Sequence, residues 1–345
     1  MKKERTPDYL WDGSGEPDPE IARLESVLSA LRRTPPIPAL PPREASMDDG
    51  SNSSRSRLRS GIMMLAAAAV LFLAAGAAWL TVGQRRLGWE VQRIEGAPIL
   101  DGRALVTDGR LGVGKWLVTD AESRARVSVG QIGRVDVDPN SRLQLVESRA
   151  REHRMSLERG TIHAQIWAPP KFFYVNTPSA VAIDLGCAYT LNVGEDGSGL
   201  VRVTHGWVGF EHAGRESFIP ERAVCATRPG YGPGTPRYED APNGYAGALS
   251  LLDFGAPDDP ARARALDVIL VNARPRDALT LWHLLRRGTA DERRRVFDRM
   301  AQVAPPPDGV TRDAVLSGDR RAIDRWWDSL GLESTTWWRL WKKNW

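Results

Sequence analysis

The spacing of apolar positions changes several times along the chain, and each change predicts a different kind of element. Ile21, Leu24, Leu28 and Leu31 fall three and four residues apart, which is one face of an α-helix. Asp18 can cap that helix, Pro19 suits its first turn, Arg32 and Arg33 occupy its last turn, and Pro35-Pro36 end it. From Ile62 to Val82 the periodicity disappears: IMMLAAAAVLFLAAGAAWLTV holds no charged residue and no proline. A helix crosses a hydrocarbon core of about 30 Å in about 20 residues, so this run predicts a transmembrane helix. Its start at position 62 is too deep in the chain for a secretory signal peptide.

From Trp89 to Arg228 the period is two. Ala125, Val127 and Val129 alternate with Arg124, Arg126 and Ser128, and Val135 and Val137 with Arg134, Asp136 and Asp138. Leu143-Leu145, Met155-Leu157, Ile162-Ala164-Ile166, Val181-Ile183-Leu185, Tyr189-Leu191-Val193, Val201-Val203 and Val208-Phe210 continue the pattern. Turn signals stand between the runs at Asp138-Pro139-Asn140-Ser141, Arg159-Gly160, Glu195 to Gly199 and His205-Gly206. Short alternating strands at regular spacing predict an all-β domain, a sandwich or a stack of strands, with one face buried and one wet.

After a Gly/Pro-rich stretch from Pro229 to Pro242 the helical period returns. One helix is predicted from Asp259-Pro260 through Ala263, Leu266, Ile269 and Leu270. A second runs from Asp277 through Leu281, Trp282, Leu284 and Leu285, and a third from Asp291 through Val296, Phe297 and Met300. Pro305-Pro306-Pro307 interrupts; Ile323, Trp326, Trp327 and Leu330 follow, and Trp337, Trp338, Trp341 and Trp345 end the chain. These tryptophans read either as a core stripe or as a ring surface for a glycan or the membrane interface.

Charge adds little. The 345-residue chain carries a formal net charge of +4, with acids mixed among the bases throughout, so no compact nucleic-acid surface is implied. Arg55, Arg57 and Arg59 before the apolar run balance Arg85, Arg86 and Arg93 after it, so charge gives no orientation. The two cysteines, Cys187 and Cys225, both lie in the β region. They form a disulfide if that side is oxidising, or remain two buried thiols; the disulfide is the expectation here.

Candidate chemistry drops out. GRLGVGK at 109–115 approaches a phosphate-binding loop, but Trp116 stands where the magnesium-binding hydroxyl belongs and a strand follows. The five histidines fit no metal spacing, and Ser179 is in no nucleophile elbow. No catalytic, cofactor or metal residue is expected, and the chain does not read as an enzyme.

The stretches LVTDAESRARVSVGQIGRVDVDPNSRLQLV, RMSLERGTIHAQI, FYVNTPSAVAIDLGCAYTLNV and VRVTHGWVGF, in that order, resemble the FecR domain of bacterial membrane-bound anti-sigma regulators. The resemblance covers roughly residues 90–228. It implies an amino terminus in the cytoplasm, the β domain in the periplasm, and an extracytoplasmic-function sigma factor as cytoplasmic partner. The residues expected to hold that partner are Tyr9, Leu10, Trp11 and the stripe Ile21, Leu24, Leu28 and Leu31. Such a stripe cannot bury itself, and needs a partner's groove, the membrane surface or a second copy. Cys187 stands where the family usually has a small residue such as Thr, a departure that fits a disulfide to Cys225, and the helical tail differs from the family's usual C-terminal domain, so the resemblance does not extend to an iron-chelate input. The chain thus reads as a multidomain membrane protein: one transmembrane α-helix, an all-β FecR-like domain and an α-helical C-terminal domain. The expected divisions are a cytoplasmic segment at 1–33, a linker at 34–60, the span at 62–82, the periplasmic β domain at 89–228, a linker at 229–245 and a helical Trp-rich domain at 246–345. An inner-membrane location, an unidentified periplasmic signalling partner and no direct nucleic-acid contact complete the reading. The alternative is a membrane-anchored periplasmic scaffold without sigma control.

Overall fold

The computed structural model describes Pro19, Arg23 and residues 88–332; Pro19 and Arg23 are helical and exposed. The predicted span at 62–82, the whole N-terminal stripe and the last four tryptophans lie outside the described residues. Among the described residues no helix is long and apolar enough to cross a membrane.

The alternating stretch folds as strands β1 (Trp89–Glu95), β2 (Ile99–Leu100), β3 (Arg103–Ala104), β4 (Asp108–Leu111), β5 (Trp116–Val118), β6 (Arg124–Val129), β7 (Gly133–Val137), β8 (Arg142–Ser148) and the long β9 (His153–Ile166). Then come β10 (Phe173–Asn176), β11 (Val181–Asp184), β12 (Ala188–Val193), β13 (Gly199–His205), β14 (Trp207–His212), β15 (Arg215–Pro220) and β16 (Ala223–Arg228). One sheet runs β4-β1-β6-β7-β9-β12-β13-β16. The other runs β3-β2-β5-β8-β9-β10-β11-β14-β15, antiparallel except where β10 lies parallel to β9. Val127, Val135, Ile162 and Leu191 from the first sheet and Leu143, Leu157, Phe173 and Val175 from the second are fully buried in one continuous apolar core. Each such side chain contributes about 1.5–3 kcal/mol through removal from water.

Strand β9 belongs to both sheets. Residues 153–159 pair with β8, and 160–166 with β7 and β12. The turn expected at Arg159-Gly160 is therefore corrected: the strand continues and bends there to change sheets. Gly160 makes the bend, with φ of 99° and Ser141 packed so close that an added Cβ would lie 2.3 Å from the Ser141 Cα. The phase of β11 is a second correction. Val181 and Ile183 are only half-buried, while Ala182 and Asp184 point into the core.

The stretch expected as a linker at 229–245 is tied down instead. Its strands β17 (Gly232–Pro233) and β18 (Arg237–Tyr238) both pair with β16, and residues 232–236 are buried. The helices that follow are α1 (Tyr245–Phe254), α2 (Ala261–Asn272), α3 (Ala278–Arg287), α4 (Ala290–Val303), α5 (Arg312–Leu316) and α6 (Arg320–Asp328). The first of these has no counterpart among the predicted helices. Helix α4 starts one residue earlier than Asp291, because Thr289 caps it and Glu292 reaches back to the Thr289 N–H in a reciprocal box. Asp319 caps α6 by accepting from Arg321 N. Trp326 and Trp327 are buried, as a core stripe requires.

Candidate functional site

The described residues bring their buried polar groups together where the helices meet the second sheet. Helix α3 runs through an apolar stretch, LTLWHLL, whose residues are all buried, His283 included. His283 Nε2 accepts from the Phe218 N–H of β15 at 3.1 Å, and its Nδ1 donates to the Leu279 carbonyl at 2.8 Å. Those two partners require a neutral ring with its proton on Nδ1. Burial holds its basicity well below the usual histidine range, and the Arg287 charge acts the same way. Around it Phe218, Trp282 and Trp327 pack ring to ring, and Trp207 of β14 meets Trp327 edge-on at 6.2 Å. The buried indole N–H of Trp282 donates to the Ile323 carbonyl and that of Trp326 to the Ala304 carbonyl.

A charged latch lies beside these rings. Asp253 of α1, with its side chain only 4% exposed, accepts from Arg215 of β15 at 2.7 Å, from the Thr235 N–H at 2.6 Å and from the Thr235 hydroxyl at 2.9 Å. Arg287, at the end of α3, stands 3.6 Å from the same carboxylate and donates to Thr235 Oγ1, Ser217 Oγ and the Glu216 carbonyl. Burial pushes the Arg287 guanidinium down to about 10, against the opposing pull of Asp253. Sheet, connecting segment and two helices thus share one buried ion network.

A third group forms where β11 ends. Asp184 is 1% exposed; its Oδ1 accepts from the Gly186 N–H at 2.7 Å and its Oδ2 from the Cys187 thiol at 2.7 Å. Burial raises its carboxyl to about 7, and the hydrogen bonds from Cys187 and Gly186 only partly oppose this. Burial, and then the nearby Asp184 charge, pushes the Cys187 thiol well above its usual range. The Tyr189 hydroxyl close by is buried with no hydrogen-bond partner among the described residues.

The expected disulfide is corrected: both cysteines are free and buried. Cys225 of β16 faces Val201 of β13, whereas Cys187 precedes Ala188, which faces His205 at the other end of β13. A whole strand lies between them. Two strand spacings of about 4.8 Å and about 13 Å along the strand put them far outside the roughly 4.4–6.8 Å Cα separation a disulfide allows. Cys225 instead donates to the Gly234 carbonyl at 3.1 Å, and burial raises its thiol to about 12. Neither thiol is activated as a nucleophile. Ser179 is fully buried, with its hydroxyl 2.6 Å from that of Thr227. Among the described residues no group of three or more His, Cys, Asp and Glu side chains is placed to hold a metal ion.

The seven residues expected to bind a partner, Tyr9, Leu10, Trp11, Ile21, Leu24, Leu28 and Leu31, lie outside the described residues. His283, Asp253 and Arg287, which organise the junction, and Asp184 at the end of β11 escaped the sequence reading. Only His283 carried a signal: it interrupts an apolar helical face, where a polar side chain must find partners.

Residues 116–209 match the family of FecR protein, inside the stretch whose residues resemble that domain. No curated protein matches the chain. Two crystal structures of a candidate anti-sigma factor from Parabacteroides distasonis ATCC 8503 are similar at 17% identity and a TM-score of 0.33. Each covers 39% of this chain, and the chain spans 63% and 62% of the length of theirs.

Proposed function

We propose that the chain is a single-pass inner-membrane regulator of the FecR type. In this reading residues 62–82 cross the membrane, the β and helical regions face the periplasm, and the N-terminal segment holds an extracytoplasmic-function sigma factor. The match of residues 116–209 to the FecR family carries the reading. The uncharged run from Ile62 to Val82 and the one-sided stripe Ile21-Leu24-Leu28-Leu31 support the topology and the partner. A periplasmic partner supplies the signal, and release of the sigma factor follows a change in the bound state of the N-terminal segment.

The direct test is co-purification of the full chain, solubilised from membranes, with a sigma factor. Its absence from the purified material, together with no two-hybrid signal from residues 1–60 against the host's sigma factors, overturns the reading. A finer arm compares Leu28→Asp with Arg23→Glu, Arg23 being exposed on its helix. An unpaired charge in an apolar groove costs about 3 kcal/mol, roughly a hundredfold in binding. Equal effects of the two changes rule out the stripe as the docking face. Alkaline phosphatase fused after Leu332 should be active and fused after Ser54 inactive; the reverse pattern overturns the orientation.

A further inference from the structure

A cleft of about 360 Å³ opens between the β14–β15 turn, the end of α3 and the start of α6. Five arginines line it: Arg215, Arg286, Arg287, Arg293 and Arg320. The carboxylates that answer them among the described residues are Asp253, behind Arg215 and Arg287, and Glu216 and Asp324 in the cleft wall. Asp253 is spent on its two arginines and Thr235, and Glu216 stands 3.6 Å from Arg286. Arg293 meets no carboxylate among the described residues. It donates to the carbonyls of Leu285, Leu316 and Gly288, whose partial charges offset only part of its own. Arg320 is exposed and makes no ion pair among the described residues. Burial lowers Arg286, Asp324 opposes that, and the like charge of Arg320 lowers it further, so the two guanidiniums stand near each other without full compensation. Arg286 is also fixed in place by stacking over the Trp282 ring at 4.9 Å.

Five guanidiniums facing three carboxylates leave a surplus of positive charge in a concave site of ligand size. Like charges held together are costly unless an anion joins them, and the guanidinium fork matches the oxygen pairs of phosphate and carboxylate. We propose that this cleft binds a small oxyanion ligand, a phosphate or carboxylate group, with Arg286 and Arg320 as its principal donors. The ligand would touch the sheet turn and both helices at once, and so bias the junction they form. The inference does not depend on the sigma-factor reading.

The test uses the full chain with inorganic phosphate and with glutarate as probes, at constant ionic strength set with sodium chloride. Thermal unfolding and calorimetric titration are the readouts. The expected result is saturable binding and a rising midpoint for at least one probe. Preference for phosphate or for glutarate then names the source of the oxyanion. Arg320→Glu should weaken binding at least tenfold while leaving the ligand-free midpoint at or above that of the parent, since Arg320 is exposed and its like charge beside Arg286 is removed. Arg264→Glu, on the exposed face of α2 away from the cleft, should change nothing. No saturable binding of either probe overturns the proposal. So does binding that survives Arg320→Glu, or that falls equally with Arg264→Glu.

Discussion

Replacing Asp184 by Asn tests the physics of the buried cluster most directly. Asn keeps the shape, and its side-chain oxygen can still accept from Gly186. It cannot ionise. With the native carboxyl raised from 3.8 to about 7, the folded chain holds a proton over the interval in which the unfolded chain has released it. Stability therefore falls as pH rises through that interval, by about 1.4 kcal/mol per pH unit, and the loss is complete above the native value. Between pH 5 and pH 8 this amounts to about 2–3 kcal/mol from one group, or roughly 5–10 °C in midpoint for a folded region of this size. His283 acts in the opposite sense: its native value is depressed, so its contribution is lost as pH falls below the unfolded value. The difference between parent and Asp184→Asn chains cancels that term. The measurement is urea unfolding of both full chains, followed by near-ultraviolet circular dichroism at pH 5, 6, 7 and 8. The stability of the variant relative to the parent should grow by about 2–3 kcal/mol across the series. A difference that stays constant with pH would falsify the claim that Asp184 is held protonated by burial.

Three further outcomes follow from the fold. Denatured, unreduced chain should show both thiols free by mass-resolved alkylation, while the native chain labels far more slowly; no free thiol after denaturation would restore the disulfide. Gly160→Ala should cost about 4 kcal/mol or more, because the new Cβ meets the Ser141 backbone, whereas Gly102→Ala, in open space, should cost about 1 kcal/mol; equal urea midpoints would refute the sheet-crossing bend. Arg287→Met should destabilise by about 3 kcal/mol or more by under-compensating buried Asp253, while Arg294→Met, from an exposed pair with Asp291, should change stability by less than about 1 kcal/mol; chemical denaturation of both decides it.

The strands were legible wherever one face alone is buried. In β6, β7 and β12 the polar alternates face solvent, so period two marks the inward set directly. In β11 the run Val-Ala-Ile-Asp offers apolar residues at both phases, and its place between β10 and β14 decides which points inward. That choice buries a carboxylate, which no local pattern announces. Gly160 reads as a turn because glycine favours turns; that the chain passes on into a second sheet depends on partners distant in sequence. Helix α1 was missed because its N-cap, Gly244, offers no capping side chain and Gly247 lies inside it. The latch was invisible for a related reason: Arg215, Asp253 and Arg287 come from three separate elements and meet only in the folded chain.

The His283 hydrogen bond to the Phe218 amide has a consequence for how the chain can be divided. Strand β15 ends its sheet, and a helix far along the chain satisfies the outward N–H of Phe218. The FecR match ends at 209, within β14, before β15 begins. A fragment cut there would lose the strand that closes the sheet; one cut after β16 would bare the amide, Phe218 and the ring of Trp207. Either fragment would offer an open, apolar edge to other copies of itself. The stretch that matches the FecR family is thus smaller than the unit whose sheet edge is covered, and the helical tail supplies the β domain's missing border.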